Sequence, residues 1–287
     1  MGNLLEVVVE SVAALSAERA VFVVRAILRA ECAYARLGPT SLTVSSRISV
    51  ADGGIDAEVD VPTDAAVPDD CLFRIGLTGI QIKSGTSFKP WTANSIRAEL
   101  LDSRGNLYSE VQRLADRGGR YVLVCTGHDL TPQQRNQSRD QIASVLADAG
   151  YPNYEAFIEV LGASQITEFA ERYPGTASLL TLDTIAEGWV VDEWRRDEHM
   201  ATAFVASREQ AEVIGKIREG LQGHVKHIRL LGEPGLGKTR IVLESTRDEN
   251  IAPYVLYIPH GSEFGRTKLF RQLPNPSGLA YKSEIHQ

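Results

Sequence analysis

The eight residues Gly232, Glu233, Pro234, Gly235, Leu236, Gly237, Lys238 and Thr239 (GEPGLGKT) constrain this chain more than any other stretch. They satisfy the pattern G-x-x-x-x-G-K-[S/T] at every fixed position. Glycines at that spacing let the backbone curl until successive N–H groups face one point. The helix that comes next adds the positive end of its dipole, so the loop is built for phosphate. Lys238 is expected to reach the β- and γ-phosphates of a nucleotide and Thr239 to ligate magnesium, with Arg240 counted in the same nucleotide-binding set. The surroundings agree. The apolar run HIRLL predicts a strand over 227–231, TRIVLEST predicts a helix over 238–247, and a further strand is expected over 253–258.

The sequence beyond the loop is short. Only 48 residues lie beyond Thr239, against the ~150 or more that a complete nucleotide-hydrolysing core of this kind uses. After Tyr257 no apolar strand ends in Asp or Asp-Glu, and the final stretch LPNPSGLAYKSEIHQ does not read as the close of a core. The expectation is therefore ATP binding by an incomplete domain, in a fragment or a truncated product. Hydrolysis of ATP by this chain alone is not expected.

The 287 residues suffice for one large domain or two ordinary ones, and 43% apolar with 23% charged residues is the balance of a globular protein. No apolar run reaches the ~18 residues of a membrane span. Leu4 to Val9 is apolar but lacks the basic start and cleavage site of a secretory signal. Cys32, Cys71 and Cys125 are far apart, with no CxxC pair, which fits a reducing cytoplasm and excludes a disulfide framework. No histidine has a partner at zinc-ligand spacing. The net charge of −7 argues against indiscriminate binding of polyanions. Its distribution says more. Residues 52–70 hold seven acids and no base, whereas residues 71–140 hold ten Lys or Arg against six Asp or Glu. An acidic cluster beside a basic surface can hold a metal ion next to a phosphate backbone.

Ser16 caps a predicted helix running to about Arg36, ended by Gly38-Pro39. Alternation predicts strands over 41–50 and 55–61 joined by the turn Asp52-Gly53-Gly54, and a second hairpin over 72–83 interrupted by Gly76 and Gly79. A helix over 93–117, strand 121–126, helix 131–148, strand 156–161 and helix 164–172 come next. This order predicts an α/β sandwich with a mixed sheet. Three regions result: a domain over 1–175, a connector over 176–206 anchored by Trp189 and Trp194, and the nucleotide-binding part over 207–287, which opens with a helix at 207–221.

On the strand from Ile55, period-two alternation puts Asp56, Glu58 and Asp60 on one face, and Gln81 and Lys83 share a face in the same way. If the two strands are neighbours, an acid, an amide oxygen and an ammonium converge. That set suits phosphodiester hydrolysis: Asp56 and Gln81 as ligands of Mg²⁺, Lys83 placing water or steadying developing charge. With its flanking DGGID and QIKSG, the arrangement resembles the PD-(D/E)XK nuclease superfamily, most closely Mrr-type restriction endonucleases and related Holliday-junction resolvases. The resemblance covers roughly residues 16–172. It implies a restriction-endonuclease-like mixed-sheet fold, with Asp56, Gln81 and Lys83 as catalytic residues. Many members add a glutamate from the first helix, for which Glu18 and Glu31 are both candidates, and Glu58 is a weaker ligand candidate. His128 and the helical Gln133, Arg135, Gln137 and Arg139 read first as ordinary loop and solvated residues, and otherwise as substrate contacts.

An effector of this kind ahead of LLGEPGLGKTRIVLE is similar to antiviral STAND NTPases of bacterial defence. That resemblance implies a P-loop NTPase fused to the nuclease, self-association of the full-length protein, and Mg²⁺-dependent cutting of double-stranded DNA switched on by ATP. The alternative reading is a catalytically inactive DNA-binding or regulatory nucleotide-switch protein. A helicase or kinase is a weaker third reading, because too little sequence lies beyond the loop.

Overall fold

Val24, Ile27 and Leu28 recur at helical spacing behind Ser16, whose hydroxyl accepts from the Arg19 N–H at 3.3 Å, and they fold as the buried face of α2 (Ala17–Tyr34). The computed structural model describes residues 7–44, 53–180, 189–194, 200, 202–222, 228–233, 235–248, 251–258 and 280–282. Before α2 stands the short α1 (Val9–Ala13), and after it come β1 (Leu42–Val44), β2 (Ala57–Val61) and β3 (Gly76–Lys83). The chain continues through α3 (Ala93–Leu100), α4 (Ser109–Asp116), β4 (Arg120–Cys125), α5 (Pro132–Asp148), β5 (Ile158–Leu161) and α6 (Ala163–Glu171).

The five strands form one mixed sheet in the order β1-β2-β3-β4-β5. β1, β2 and β3 are antiparallel neighbours, whereas β4 and β5 run parallel to β3. β3 is therefore where the sheet changes sense. On one face Leu77, Tyr121, Leu123, Cys125, Ile158 and Val160 meet Ile96 and Leu100 of α3, Val111 and Leu114 of α4, and Ile142, Val145 and Leu146 of α5. α2 packs against β1 and β3 and contributes nothing to that cluster. The architecture is mixed α/β, with β3 and β4 almost entirely buried.

Two expectations for this half are corrected. Residues 72–83 do not form a second hairpin: β3 is one straight strand. Gly79 lies inside it because a Cβ there would stand 2.8 Å from Ile55 Cδ1 and from Leu114 Cδ2, so that glycine serves close packing and not a turn. The single helix expected over 93–117 is two helices. Between them the Asp102 carboxylate accepts from Arg104 N–H at 2.8 Å and Asn106 N–H at 2.9 Å, and Leu101 bridges Leu107. A side chain that bonds its own backbone in this way offers the chain an alternative to helix. The strand expected over 41–50 is seen as β1 alone; residues 45–50 and Asp52 of the predicted turn lie outside the described residues.

Contacts divide the chain into two units, one spanning Val8–Phe169 and the other taking in Val7 and the described residues from Ala170 on. The second unit holds α7 (Pro174–Ser178), β6 (Trp189–Val190), α8 (Val191–Trp194), α9 (Arg208–Gln222), α10 (Lys238–Thr246), β7 (Leu256–Ile258) and β8 (Ala280–Lys282). β7 pairs antiparallel with β6 and parallel with β8. Trp194, expected in the connector, contributes to this core: it is buried and stacks on Tyr257, rings 3.8 Å apart and 2° from parallel. Ile228 to Leu231 are not a strand. A strand exists through a hydrogen-bonded neighbour, and among the described residues none pairs with this stretch; Ile228 and Leu230 pack instead against Ile214, Ile217 and Ile241. His227 and most of the C-terminal stretch after Ile258 lie outside the described residues. No helix among the described residues is long and apolar enough to cross a membrane.

Candidate functional site

Register brings the first set of predicted residues together. Ala57 of β2 stands opposite Ile80 of β3. One residue earlier, the Asp56 N–H donates to the Ile80 carbonyl at 2.9 Å, and its Oδ2 accepts from the Ile82 N–H at 2.6 Å. The carboxylate thus sits at the peptide joining Gln81 to Ile82. A Gly53-Gly54 turn delivers it, with φ of 69° and 88°, values that suit glycine. A Cβ on either glycine would also stand 2.8 Å from Glu110 Cγ or Val111 Cγ2 of α4.

Gln81 and Lys83 leave β3 on the α3 side, where both meet Glu99. Gln81 Nε2 donates to Glu99 Oε1 at 3.1 Å, and the Lys83 ammonium pairs with the same oxygen. The ammonium also lies 6.0 Å from the centre of the Phe88 ring. Gln81 is 3% exposed, and its Oε1 is buried without a hydrogen-bond partner. Leaving such an acceptor unsatisfied costs about 1–3 kcal/mol. Among the described residues no group of three or more His, Cys, Asp or Glu side chains could hold a metal ion. The Asp56 carboxylate and the Gln81 amide oxygen are nevertheless hard oxygen donors of the kind Mg²⁺ accepts, an ion that keeps several waters and needs only one or two carboxylates.

The neighbouring acids are otherwise engaged. Glu58 is bonded to Arg113 of α4, and Asp60 to Arg117 at 3.2 Å. Glu31 is fully buried and accepts from the Leu72 N–H at 3.0 Å, which gives its charge on the apolar face of α2 a structural reason. Glu18 is exposed on the first turn of α2. Cys125 is buried, and desolvation pushes its thiol far above the usual range, so it is inert core.

The loops leaving β3 and β4 are stitched together beside Lys83. Thr126 N–H donates to the Lys83 carbonyl at 2.8 Å. His128 bonds the Phe88 carbonyl through Nε2 at 2.8 Å and meets Trp91 edge-on at 5.1 Å. Gly127 touches Gly85 so closely that a Cβ would fall 2.1 Å from its carbonyl oxygen. Of the α5 residues, Gln133 and Gln137 are exposed, whereas Arg135 and Arg139 are half-buried, Arg139 facing Glu155 at 3.8 Å.

The GEPGLGKT loop lies in the other unit. Gly237, with φ 72°, is the N-cap of α10. Gly232, Glu233, Gly235, Leu236 and Gly237 are exposed, and Pro234 lies outside the described residues. The Lys238 ammonium folds back on the loop, donating to the Gly232 carbonyl at 2.9 Å and the Glu233 carbonyl at 2.8 Å. Thr239 is half-buried in the first turn of α10. Arg240 is committed elsewhere: it donates to Met200 and Thr202 carbonyls at 2.6 and 2.7 Å, pairs with Glu244, and lies over the Phe204 ring. Its guanidinium is thereby tied to Met200, Thr202 and Phe204. At the far end of α10, Arg218 of α9 donates to the carbonyls of Glu244 and Ser245 at 2.8 and 3.3 Å.

Sequence reasoning missed Glu99, Phe88 and the Arg240 clamp. Glu99 carried one usable signal: it falls three residues after Ile96 on a helix that must bury Ile96 and Leu100, which places it at the edge of the packed face.

No known protein family, curated protein or solved structure matches this chain.

Proposed function

We propose that the chain is a metal-dependent DNA endonuclease coupled to an ATP-binding loop. The observation that carries this reading is the Asp56 carboxylate bonded at the Gln81–Ile82 peptide, together with an amide oxygen of Gln81 that is buried and unpartnered and with Lys83 two residues further along the strand. Asp56 and Gln81 would hold Mg²⁺, which when bound supplies Lewis acidity toward water and phosphate. Lys83 offers a charged donor to the scissile phosphate, the sort of group whose value rises in a water-poor site. Lys238 and Thr239 would bind ATP and its magnesium, exchanging the bonds to the Gly232 and Glu233 carbonyls for phosphate oxygens. The PD-(D/E)XK fold, the P-loop NTPase context and a role in antiphage defence, with self-association of the full-length protein on double-stranded DNA, belong to this proposal through the motif resemblance.

The test is plasmid cleavage by the chain with Mg²⁺ and with Mn²⁺, beside Lys83→Ala. The expected result is metal-dependent cutting that falls by about 10²–10³-fold in the variant, the usual loss on removing one transition-state donor. Equal cutting by Lys83→Ala would remove Lys83 from the site. A second reading, a protein that binds DNA or switches on nucleotide without cutting, draws support from the lack of a three-acid cluster among the described residues. It predicts DNA retention with no cutting under any metal.

A further inference from the structure

The two side chains that β3 sends toward α3 share one partner. Gln81 Nε2 and Lys83 Nζ both meet Glu99 Oε1, a residue 16 positions beyond Lys83 and on a different element. We infer that Glu99 is a positioning residue: it sets the sense of the Gln81 amide, and so gives the site its second oxygen donor. This rests on the nuclease reading of the same site.

The chemistry is asymmetric. An ionised carboxylate only accepts hydrogen bonds, whereas an amide carries two N–H donors at one end and an oxygen at the other. Facing Glu99, Gln81 must present its NH₂ group, and Oε1 must turn away. That oxygen is buried and unpartnered, and turning the amide over would set it against the acceptor-only carboxylate of Glu99. Glu99 forbids the turn. The same carboxylate holds the Lys83 ammonium, so one residue of α3 fixes both working groups of β3. The arrangement also gives a reason for glutamine at 81. A glutamate there would face Glu99 across a hydrogen-bond distance with like charge.

The experiment compares the whole chain with Glu99→Gln, which keeps the side chain's shape but can donate as well as accept, so that the Gln81 amide is free to take either sense. Mn²⁺ affinity is measured by calorimetry, and the Gln81 side-chain NH₂ signals are followed by NMR; plasmid cleavage is run across a Mn²⁺ series. Glu99→Gln is expected to bind Mn²⁺ about tenfold more weakly and to move the Gln81 NH₂ signals. Its cutting should recover as Mn²⁺ is raised, whereas that of Lys83→Ala should not. Wild-type affinity with unmoved Gln81 signals in Glu99→Gln overturns the inference and leaves the nuclease reading standing. A wild-type chain that neither binds Mn²⁺ nor cuts DNA overturns the nuclease reading, and this inference with it. Should Glu99→Gln fail to fold, the wild-type Gln81 NH₂ signals decide. They must shift on adding Mg²⁺, and signals that stay fixed overturn the inference.

Discussion

Tyr154 donates its hydroxyl to the Gly119 carbonyl, and burial, with neighbouring Tyr151, pushes its phenol up from 10 to about 12. A folded-state value above the unfolded one means that the folded chain holds the proton more tightly. The stability this contributes is complete below pH 10 and is lost as pH rises from 10 toward 12. Urea midpoints measured from pH 8 to 12 should fall more steeply in that window for the wild type than for Tyr154→Phe. Equal slopes would show that the hydroxyl is not protected. In the other unit, Lys238→Ala removes a charged donor worth about 1.5–3 kcal/mol, so ATP titration should show affinity lowered by about 10–100-fold, with helix content by circular dichroism unchanged. Asp56, Gln81 and Lys83 were legible as a set because period-two alternation fixes which residues share a strand face. Glu99 was not, because its place depends on how α3 docks. Nor did the sequence mark Glu58 and Asp60 as spoken for, since Arg113 and Arg117 lie more than fifty positions away.

Elements whose ends carry their own chemistry were read well. α5 begins at Thr131, whose hydroxyl accepts from Gln134 N–H at 3.2 Å while the Gln134 amide accepts from Thr131 N–H at 3.0 Å, with Pro132 at the first helical position. This reciprocal cap stops the helix from fraying backward. Thr131→Ala should cost about 1 kcal/mol, read as a lower urea midpoint at unchanged slope. No change would show that Pro132 alone fixes the start. Elements were misread where a local signal had two meanings. Gly79 reads as a turn residue until Leu114 and Ile55 are known to press against it. The stretch Asp102 to Asn106 hides inside an apolar periodicity that continues from α3 into α4. The stretch 228–231 shows the opposite failure: its residues favour a strand, but strand formation belongs to pairs of segments and not to one.

Each of the two units closes on apolar contacts of its own. One cluster gathers the strands β3, β4 and β5 with α3, α4 and α5, and another gathers Val191, Trp194, Val242, Leu243, Ile251 and Val255. A fragment of residues 8–169 should therefore fold alone with a cooperative urea transition and should keep whatever Mn²⁺ affinity the full chain has. A non-cooperative melt would show that the units depend on each other. Within the first unit, the change of strand sense at β3 brings the start of β2 and the ends of β3 and β4 to one edge of the sheet, the edge where ligands gather in such sheets. There the Gly85–Gly127 contact has a consequence for descent. The constraint is one-sided: a Cβ on Gly127 would strike the Gly85 backbone, whereas one on Gly85 would meet nothing within 4 Å, so a bulkier residue at 127 is viable only if the loop at 85 gives way. Variation at 127 must therefore come with a change near 85, and a lesion at Gly127 is more readily relieved by a second-site change near Gly85 than by anything in the helices behind it.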